Sequence, residues 1–282
     1  MTPTAVLFPG QGSLTADAAE HARAVRPDLV DRACELAGDD PFARAADSTR
    51  YAQPAIFVAS LAGWTEREHE LEDVTAMAGH SLGELSALVA AGALPAEDGL
   101  RLVVLRGRLM ADAAAASSDD GGMVALLGGS AATAQELAAS HDCTIANDNA
   151  PGQLVVSGAT SAIEELLVPA RATGFKTMVL DVAGAFHSPA MAAVETPFRN
   201  ALEEVEWSEP HVPVVSGLTA ERFRDIPREL ARALVSPVRW REVMAALFAL
   251  GARDFVDVGP GRVLQRLAAR NLVGMEADVL AR

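Results

Sequence analysis

The residues most able to do chemistry stand at Gly79-His80-Ser81-Leu82-Gly83, a G-x-S-x-G pattern between an apolar run at 74–78 and a helically spaced run at 84–91. The context carries more weight than the pattern, which is short enough to arise by chance. Two glycines let a strand turn sharply into a helix and push the serine hydroxyl outward. The amide after the serine then lies at the helix N-terminus, where it can hold an oxyanion. Ser81 is therefore a candidate nucleophile, and the competing reading is an ordinary turn. A serine nucleophile needs a base. Of six histidines, His21, His69 and His141 lie in polar surroundings that suit solvated side chains, and His211 sits in a proline-flanked loop. His80 adjoins the serine, but on such a turn it would point away from the hydroxyl. His187, within Gly184-Ala185-Phe186-His187-Ser188-Pro189, lies after a predicted strand and before a predicted helix, where functional groups are commonly held. A loop histidine satisfied by backbone fits the same position.

Arg106 is the third candidate. Leu102 and Val103 lie one helical turn before it and Leu109 and Met110 one turn after, so it projects from an apolar stripe. Arg101 stacks over Glu97 and Asp98, and Arg108 precedes Asp112 by one turn, which reads as solvated pairing. An inward arginine needs an anion, because an unpaired buried charge is strongly destabilising. That anion is an internal carboxylate or a substrate carboxylate, for which the planar guanidinium is a good fork; snorkelling to solvent is the third option.

The elements that must position these groups follow from apolar runs and breakers. A buried strand at 5–8 ends in Pro9-Gly10-Gln11-Gly12, a helix covers about 54–64, and a strand at 74–78 leads into the serine turn. Helices follow at 84–91 and from Pro95 to about 115. A Ser/Asp/Gly stretch at 117–122 suits a hinge. Beyond it, 123–127, 133–140, 143–146, 153–157, 161–174 and 176–181 read strand, helix, strand, strand, helix, strand, the order of a ferredoxin-like unit. Helix at 189–205, strand at 212–216, helix at 240–250 and strand at 255–258 complete the chain. The expected fold is thus α/β, with a discontinuous large domain (1–120 and 187–282) and a smaller inserted one (121–186).

At 282 residues, half of them apolar and few aromatic, the chain suits a layered α/β protein. A net charge of −15 argues against nucleic-acid binding, which needs a basic face. No basic run or amphipathic basic helix points to a membrane surface, and no apolar run is long enough for a membrane span. Cys34 and Cys143 lack Cys-x-x-Cys spacing, the pattern of a reducing compartment, and the N-terminal residues lack the features of a signal peptide. A soluble, cytoplasmic protein is expected.

Taken together, six stretches resemble the malonyl-CoA:acyl-carrier-protein transacylases and the acyltransferases of polyketide synthases. They are Phe8-Pro9-Gly10-Gln11-Gly12-Ser13, Gly79-His80-Ser81-Leu82-Gly83-Glu84, Arg106-Gly107 with Met110, Asn149-Ala150-Pro151-Gly152-Gln153, Gly184-Ala185-Phe186-His187-Ser188 and Val258-Gly259-Pro260-Gly261. They follow the family's order over nearly the whole chain. The resemblance implies an α/β-hydrolase-like large domain with a ferredoxin-like insert. It also implies that Ser81 is the nucleophile, His187 its base, and the amides of Gln11 and Leu82 the oxyanion hole. Arg106 resembles the clamp for a malonyl carboxylate, with Phe186, Met110 and His80 also at the substrate. Phe186 and Ser188 around the histidine look like the malonyl-selecting variant. The implied partners are a coenzyme A thioester, with malonyl-CoA as acyl donor, and an acyl carrier protein. No metal or other cofactor is implied.

The sequence departs from the family pattern twice. Leu14-Thr15-Ala16-Asp17 is shorter than and unlike the usual stretch after the first motif, so the entrance near Gln11 is expected to be reshaped. Ala233 stands where a glutamine or asparagine often orients the base, leaving a backbone carbonyl to accept the imidazole N–H. Rival readings are an acyltransferase moving another acyl group between carriers, an editing acyl hydrolase and a catalytically silent docking subunit. An acidic chain meeting an acidic carrier protein also suggests a local arginine patch near the cleft, formed by Arg262, Arg266 and Arg270 or by arginines on the small domain.

Overall fold

Alternation of side chains decides how the first strand is used. All five residues of β1 (Thr4–Phe8) are buried, with Val6 and Phe8 in one core and Ala5 and Leu7 in another. A strand apolar on both faces must be covered by helices on both, the setting of a parallel sheet. The computed structural model, which describes residues 2–117 and 120–280 with side chains through 273, has this arrangement. Ser118 and Asp119, inside the expected hinge at 117–122, lie outside the described residues.

After β1 come α1 (Ala18–Val25), α2 (Pro27–Ala37), α3 (Thr49–Arg67), β2 (Val74–Gly79), α4 (Gly83–Ala90) and α5 (Ala96–Ala116). The next segment holds β3 (Gly121–Leu127), α6 (Ala131–Ser140), β4 (Thr144–Ala150), β5 (Gln153–Ala159), α7 (Thr160–Ala172) and β6 (Lys176–Val179). A 3-10 turn (Pro189–Met191), α8 (Ala192–Glu203), β7 (Val214–Val215), α9 (Ile226–Ala233), α10 (Trp240–Ala249), β8 (Asp254–Asp257) and α11 (Val263–Leu280) follow. The large sheet has the order β7-β2-β1-β8 and is parallel throughout. The small sheet has the order β4-β5-β3-β6 and is antiparallel, as a βαββαβ unit folds. The fold is α/β-hydrolase-like with a ferredoxin-like small unit.

Period-two alternation also seats the small sheet. Val124, Leu126, Leu154 and Val156 face α6 and α7, whereas Met123, Ala125 and Val155 join the core shared with β1, β2 and α3. At its edge, β4 meets the large unit directly: the Val238 amide donates to the Ala146 carbonyl and the Asp148 amide to the Val238 carbonyl, both at 2.9 Å. This pairing needs a longer β4 than the expected 143–146; the strand runs on to Ala150, irregular at Ile145/Asn147 and Asp148/Ala150.

Helix α3 begins five residues before the expected 54. Ser48 caps it by accepting the Arg50 amide, and Pro54 lies within the helix. From Ala52 to Gly63 it is buried on every side, as a helix between layers must be. Its Gly63 faces the end of β8, and a Cβ there would lie 1.9 Å from the Val258 carbonyl oxygen. Gly63→Ala would gain about 1 kcal/mol of helix propensity but lose roughly 1–3 kcal/mol to overpacking against rigid backbone. We expect a lower urea midpoint for the variant; a midpoint at or above wild type would mean that the β8 end yields freely.

Candidate active site

Ser81 occupies the turn between β2 and α4 at φ +55°, a left-handed conformation uncommon for a residue with a side chain. Backbone contact enforces it. A Cβ on Gly83 would lie 2.0 Å from the Phe8 carbonyl oxygen, and one on Gly79 would lie 1.9 Å from the Gly83 carbonyl carbon. The His80 amide donates to the Phe8 carbonyl at 2.9 Å, tying the turn to the end of β1. The hydroxyl is thereby carried to the C-terminal edge of the parallel sheet, where open α/β sheets form their ligand crevices.

His187 is buried and left-handed too, at φ +56°. Its Nε2 lies 2.7 Å from Ser81 Oγ, and its Nδ1 lies 2.8 Å from the Ala233 carbonyl oxygen and 3.2 Å from that of Ser236. Carbonyl oxygens only accept, so the ring proton sits on Nδ1 and Nε2 is left to accept the Ser81 O–H. The departure at Ala233 is therefore met by backbone. The acceptors stay in place because β4 pairs with Val238 just beyond them, and the Arg241 guanidinium holds the Asp148 carboxylate at 2.7 Å across the same junction. Burial, assisted by the Arg106 cation, pushes the His187 pKa down to about 3, so the ring is neutral in ordinary buffer.

Arg106 is 5 % exposed, so it does not snorkel, and among the described residues it has no carboxylate partner. Its Nη2 donates to Ser81 Oγ at 3.1 Å and its Nη1 to Gln53 Oε1 at 2.7 Å. Burial lowers its pKa to about 10, against a smaller opposing effect of Glu84. Glu84, buried on α4, accepts the Gly217 amide at 2.8 Å, and burial raises its pKa to about 7. Of the two neighbouring arginines, Arg101 pairs with Glu97 as expected, whereas no ion pair joins Arg108 to Asp112 among the described residues.

A cavity of about 780 Å³ opens in front of these groups. Ser81, His187, Arg106, Gln11, Leu82, Met110, Phe186 and His80 all border it, so every site residue expected from the sequence converges here. The amides of Gln11 and Leu82 reach no backbone acceptor among the described residues and are free to bind a ligand oxygen. Leu14, Thr15 and Ala16, from the departed segment, line the same cavity, and the small unit contributes Met123, Asn147 and the irregular segment 180–183 that follows β6. His80 is braced rather than free: its Nε2 is 2.8 Å from Asn149 Oδ1 and its ring packs 5.3 Å from that of Trp240. Burial lowers its pKa.

Arg262, Arg266 and Arg270, suggested for a patch near the cleft, do not line the cavity itself. Arg266 donates to the Arg262 carbonyl, and Arg270 is bonded to the Gln153 side chain. His21 pairs with Glu66 and His141 with the Leu137 carbonyl, away from the site. Gln53 and Thr49 were not among the expected residues. The available signal was a lone glutamine within the apolar run of α3, since a buried polar side chain needs partners and so marks a constructed contact. Gln53 is 1 % exposed.

Residues 25–279 match the family described as the acyl transferase domain. The chain is 37 % identical over 281 residues to the polyketide biosynthesis protein ThaF of Burkholderia thailandensis, covering 95 % of this chain but 24 % of that much longer protein. It is 33 % identical over 290 residues to the polyketide biosynthesis malonyl CoA-acyl carrier protein transacylase PksC of Bacillus subtilis, covering 98 % of this chain and 99 % of the relative. Among solved structures, a malonyl-transacylase described in complex with its type II polyketide synthase acyl-carrier protein superposes with a TM-score of 0.89 at 30 % identity, covering 96 % of this chain and 94 % of that one. A serine–histidine pair beside a buried arginine, on this fold and with these relatives, places the chain in a single family: it belongs to the acyl transferase domain family, with the malonyl-CoA:acyl-carrier-protein transacylases.

Proposed function

We propose that this chain moves a malonyl group from malonyl-CoA to the phosphopantetheine thiol of an acyl carrier protein through an ester on Ser81. The observation that carries this reading is the buried Arg106 guanidinium, 3.1 Å from Ser81 Oγ and without a carboxylate partner among the described residues. A cation so placed favours an acyl group that ends in a carboxylate, and leaves a neutral acyl group to compete against an unpaired buried charge. PksC, named as a malonyl transacylase over its full length, supports the same substrate.

In the first half-reaction His187 Nε2 takes the Ser81 proton as Oγ bonds to the thioester carbonyl carbon. The amides of Gln11 and Leu82 receive the developing oxyanion, and Leu82 N lies at the start of α4, where the helix dipole adds to the effect. The C–S bond breaks, and the leaving sulfur takes the proton from Nε2. In the second half-reaction the carrier thiol gives its proton to Nε2 and attacks the ester, and Ser81 recovers the proton as it leaves. One thioester is exchanged for another, so the chemistry calls on no metal or redox group. The nucleophile, clamp and base belong to the large domain proposed for 1–120 and 187–282, and the insert at 121–186 walls the cavity. Two free thiols and an acidic surface fit a cytoplasmic protein. A hydrolase that edits stalled carriers would gain nothing from a guanidinium reserved for one acyl terminus.

Mixing the protein separately with malonyl-CoA and acetyl-CoA and weighing it intact tests the reading. We expect a malonyl adduct on wild type, none on Ser81→Ala, and a malonyl preference that falls roughly 100-fold in Arg106→Ala, the scale of a lost buried charge contact. Equal loading of acetyl and malonyl by wild type would remove the malonyl assignment.

The pH dependence of loading gives a second check. A depressed histidine pKa means that the neutral, proton-accepting ring persists below pH 6.5 and is lost only as pH falls toward about 3. The rate constant for malonyl loading at limiting substrate should therefore show no inflection near 6.5. An acid limb centred at 6–7 would show that the free enzyme keeps His187 wetter than its burial implies.

A further inference from the structure

We propose that Gln53 is a positioning residue for the acyl clamp, a neutral tether that fixes the Arg106 guanidinium while leaving its charge available to a substrate carboxylate. The inference rests on the malonyl reading above and names the residue that keeps the clamp selective. Gln53 has its amide fully engaged. Oε1 accepts Arg106 Nη1 at 2.7 Å, and Nε2 donates to Thr49 Oγ1 at 2.9 Å and approaches Met110 Sδ at 3.3 Å. The amide cannot be flipped, because its NH₂ would then face the guanidinium, donor against donor.

A buried guanidinium is ordinarily held by a carboxylate, which supplies both geometry and countercharge. Here the two are separated. The glutamine carbonyl supplies the geometry, and the countercharge is left for the ligand. Glutamate at this position would have nearly the same shape but would neutralise Arg106 permanently. The helices are built for so short a link. Gly107 follows the arginine, and a Cβ there would lie 3.0 Å from the Thr49 carbonyl oxygen and 3.1 Å from that of Arg50, so α5 and α3 meet backbone to backbone at this level.

The tether also reaches the other end of the substrate. Thr49, one turn before Gln53 on α3, donates its hydroxyl to Gln11 Oε1 at 2.8 Å. The Gln11 amide borders the reaction centre, so one hydrogen-bonded row runs from the carboxylate clamp to the residue that faces the thioester carbonyl. A ligand seated on Arg106 is thus registered against the site where its carbonyl must react.

The test compares Gln53→Glu and Gln53→Met in the full chain, measuring kcat and KM for Ser81 loading from malonyl-CoA and from acetyl-CoA. Labelling of Ser81 by methanesulfonyl fluoride, a small neutral reagent, reports whether each variant keeps a folded, reactive site. For Gln53→Glu we expect kcat/KM for malonyl-CoA to fall roughly 100-fold, chiefly through KM, with acetyl-CoA changed by less than about threefold. For Gln53→Met, which removes the acceptor without adding charge, the malonyl loss should be about tenfold, again with acetyl nearly unchanged. A wild-type malonyl-to-acetyl ratio in either labelled variant, including an equal fall for both substrates, would overturn the tether. If Gln53→Glu fails to take the label, Gln53→Met decides alone. Failure of wild type to prefer malonyl, or of Arg106→Ala to lose that preference, would instead strike the underlying functional reading, so the two failures are separable.

Discussion

A guanidinium buried beside a serine hydroxyl, with no carboxylate in hydrogen-bonding contact among the described residues, is the constraint to which the rest of this structure answers. Removing a charge from water costs several kcal/mol after relaxation, on the order of what separates a folded domain from an unfolded one. The structure spreads that cost over two neutral acceptors, the Gln53 carbonyl and the Ser81 hydroxyl, with a smaller contribution from the more distant Glu84 carboxylate. Arg106 itself lines the cavity. The site is in this sense prepared for an anion before one arrives, and its preference for a carboxylate-bearing acyl group follows from an imbalance held in the free protein.

The same cation bears on His187. Only a neutral ring can accept the Ser81 proton, and both burial and Arg106 favour neutrality at His187. A carboxylate in contact with its Nδ1 would act in the opposite sense by stabilising the imidazolium. The two backbone carbonyls found there set the tautomer while adding only dipoles. This explains how an alanine can stand at 233: orientation is supplied by the main chain, which no side-chain substitution removes, provided that segment 233–238 is itself held.

Holding that segment is the work of the second sheet. The chain could pass from α9 to α10 by many routes, but pairing of β4 with Val238 fixes one, and the Arg241–Asp148 contact reinforces it. Ser81 thus comes from the large parallel sheet, while the geometry of His187 depends on the edge of the small antiparallel one. Two strained residues, Ser81 and His187, meet across that junction, and strain of this kind persists only where surrounding packing over-determines it.

Much of this was legible in the sequence because its signals are local. The G-x-S-x-G turn needs only the strand before it and the helix after it. The position of Arg106 on an apolar stripe follows from helical spacing, and the strand–helix order of the insert from alternating patterns. What is local was less readable where one residue type has two uses. Pro54 drew the start of α3 too late, because proline is common in a first turn, whereas Ser48 caps the helix a full turn earlier. α1, α2 and α9 were not singled out, being short elements whose helicity depends on packing. What only the tertiary structure decided is what depends on distance through space. No periodicity reveals that Arg106 lacks a carboxylate partner among the described residues, that Gln53 and Thr49 link it to Gln11, or that the carbonyl of Ala233 turns toward His187. Those contacts join residues 38 to 53 positions apart. The sequence named the reactive groups because their chemistry is written in residue type, and the fold set their charges and partners because electrostatics in a dry site depends on who else is buried there.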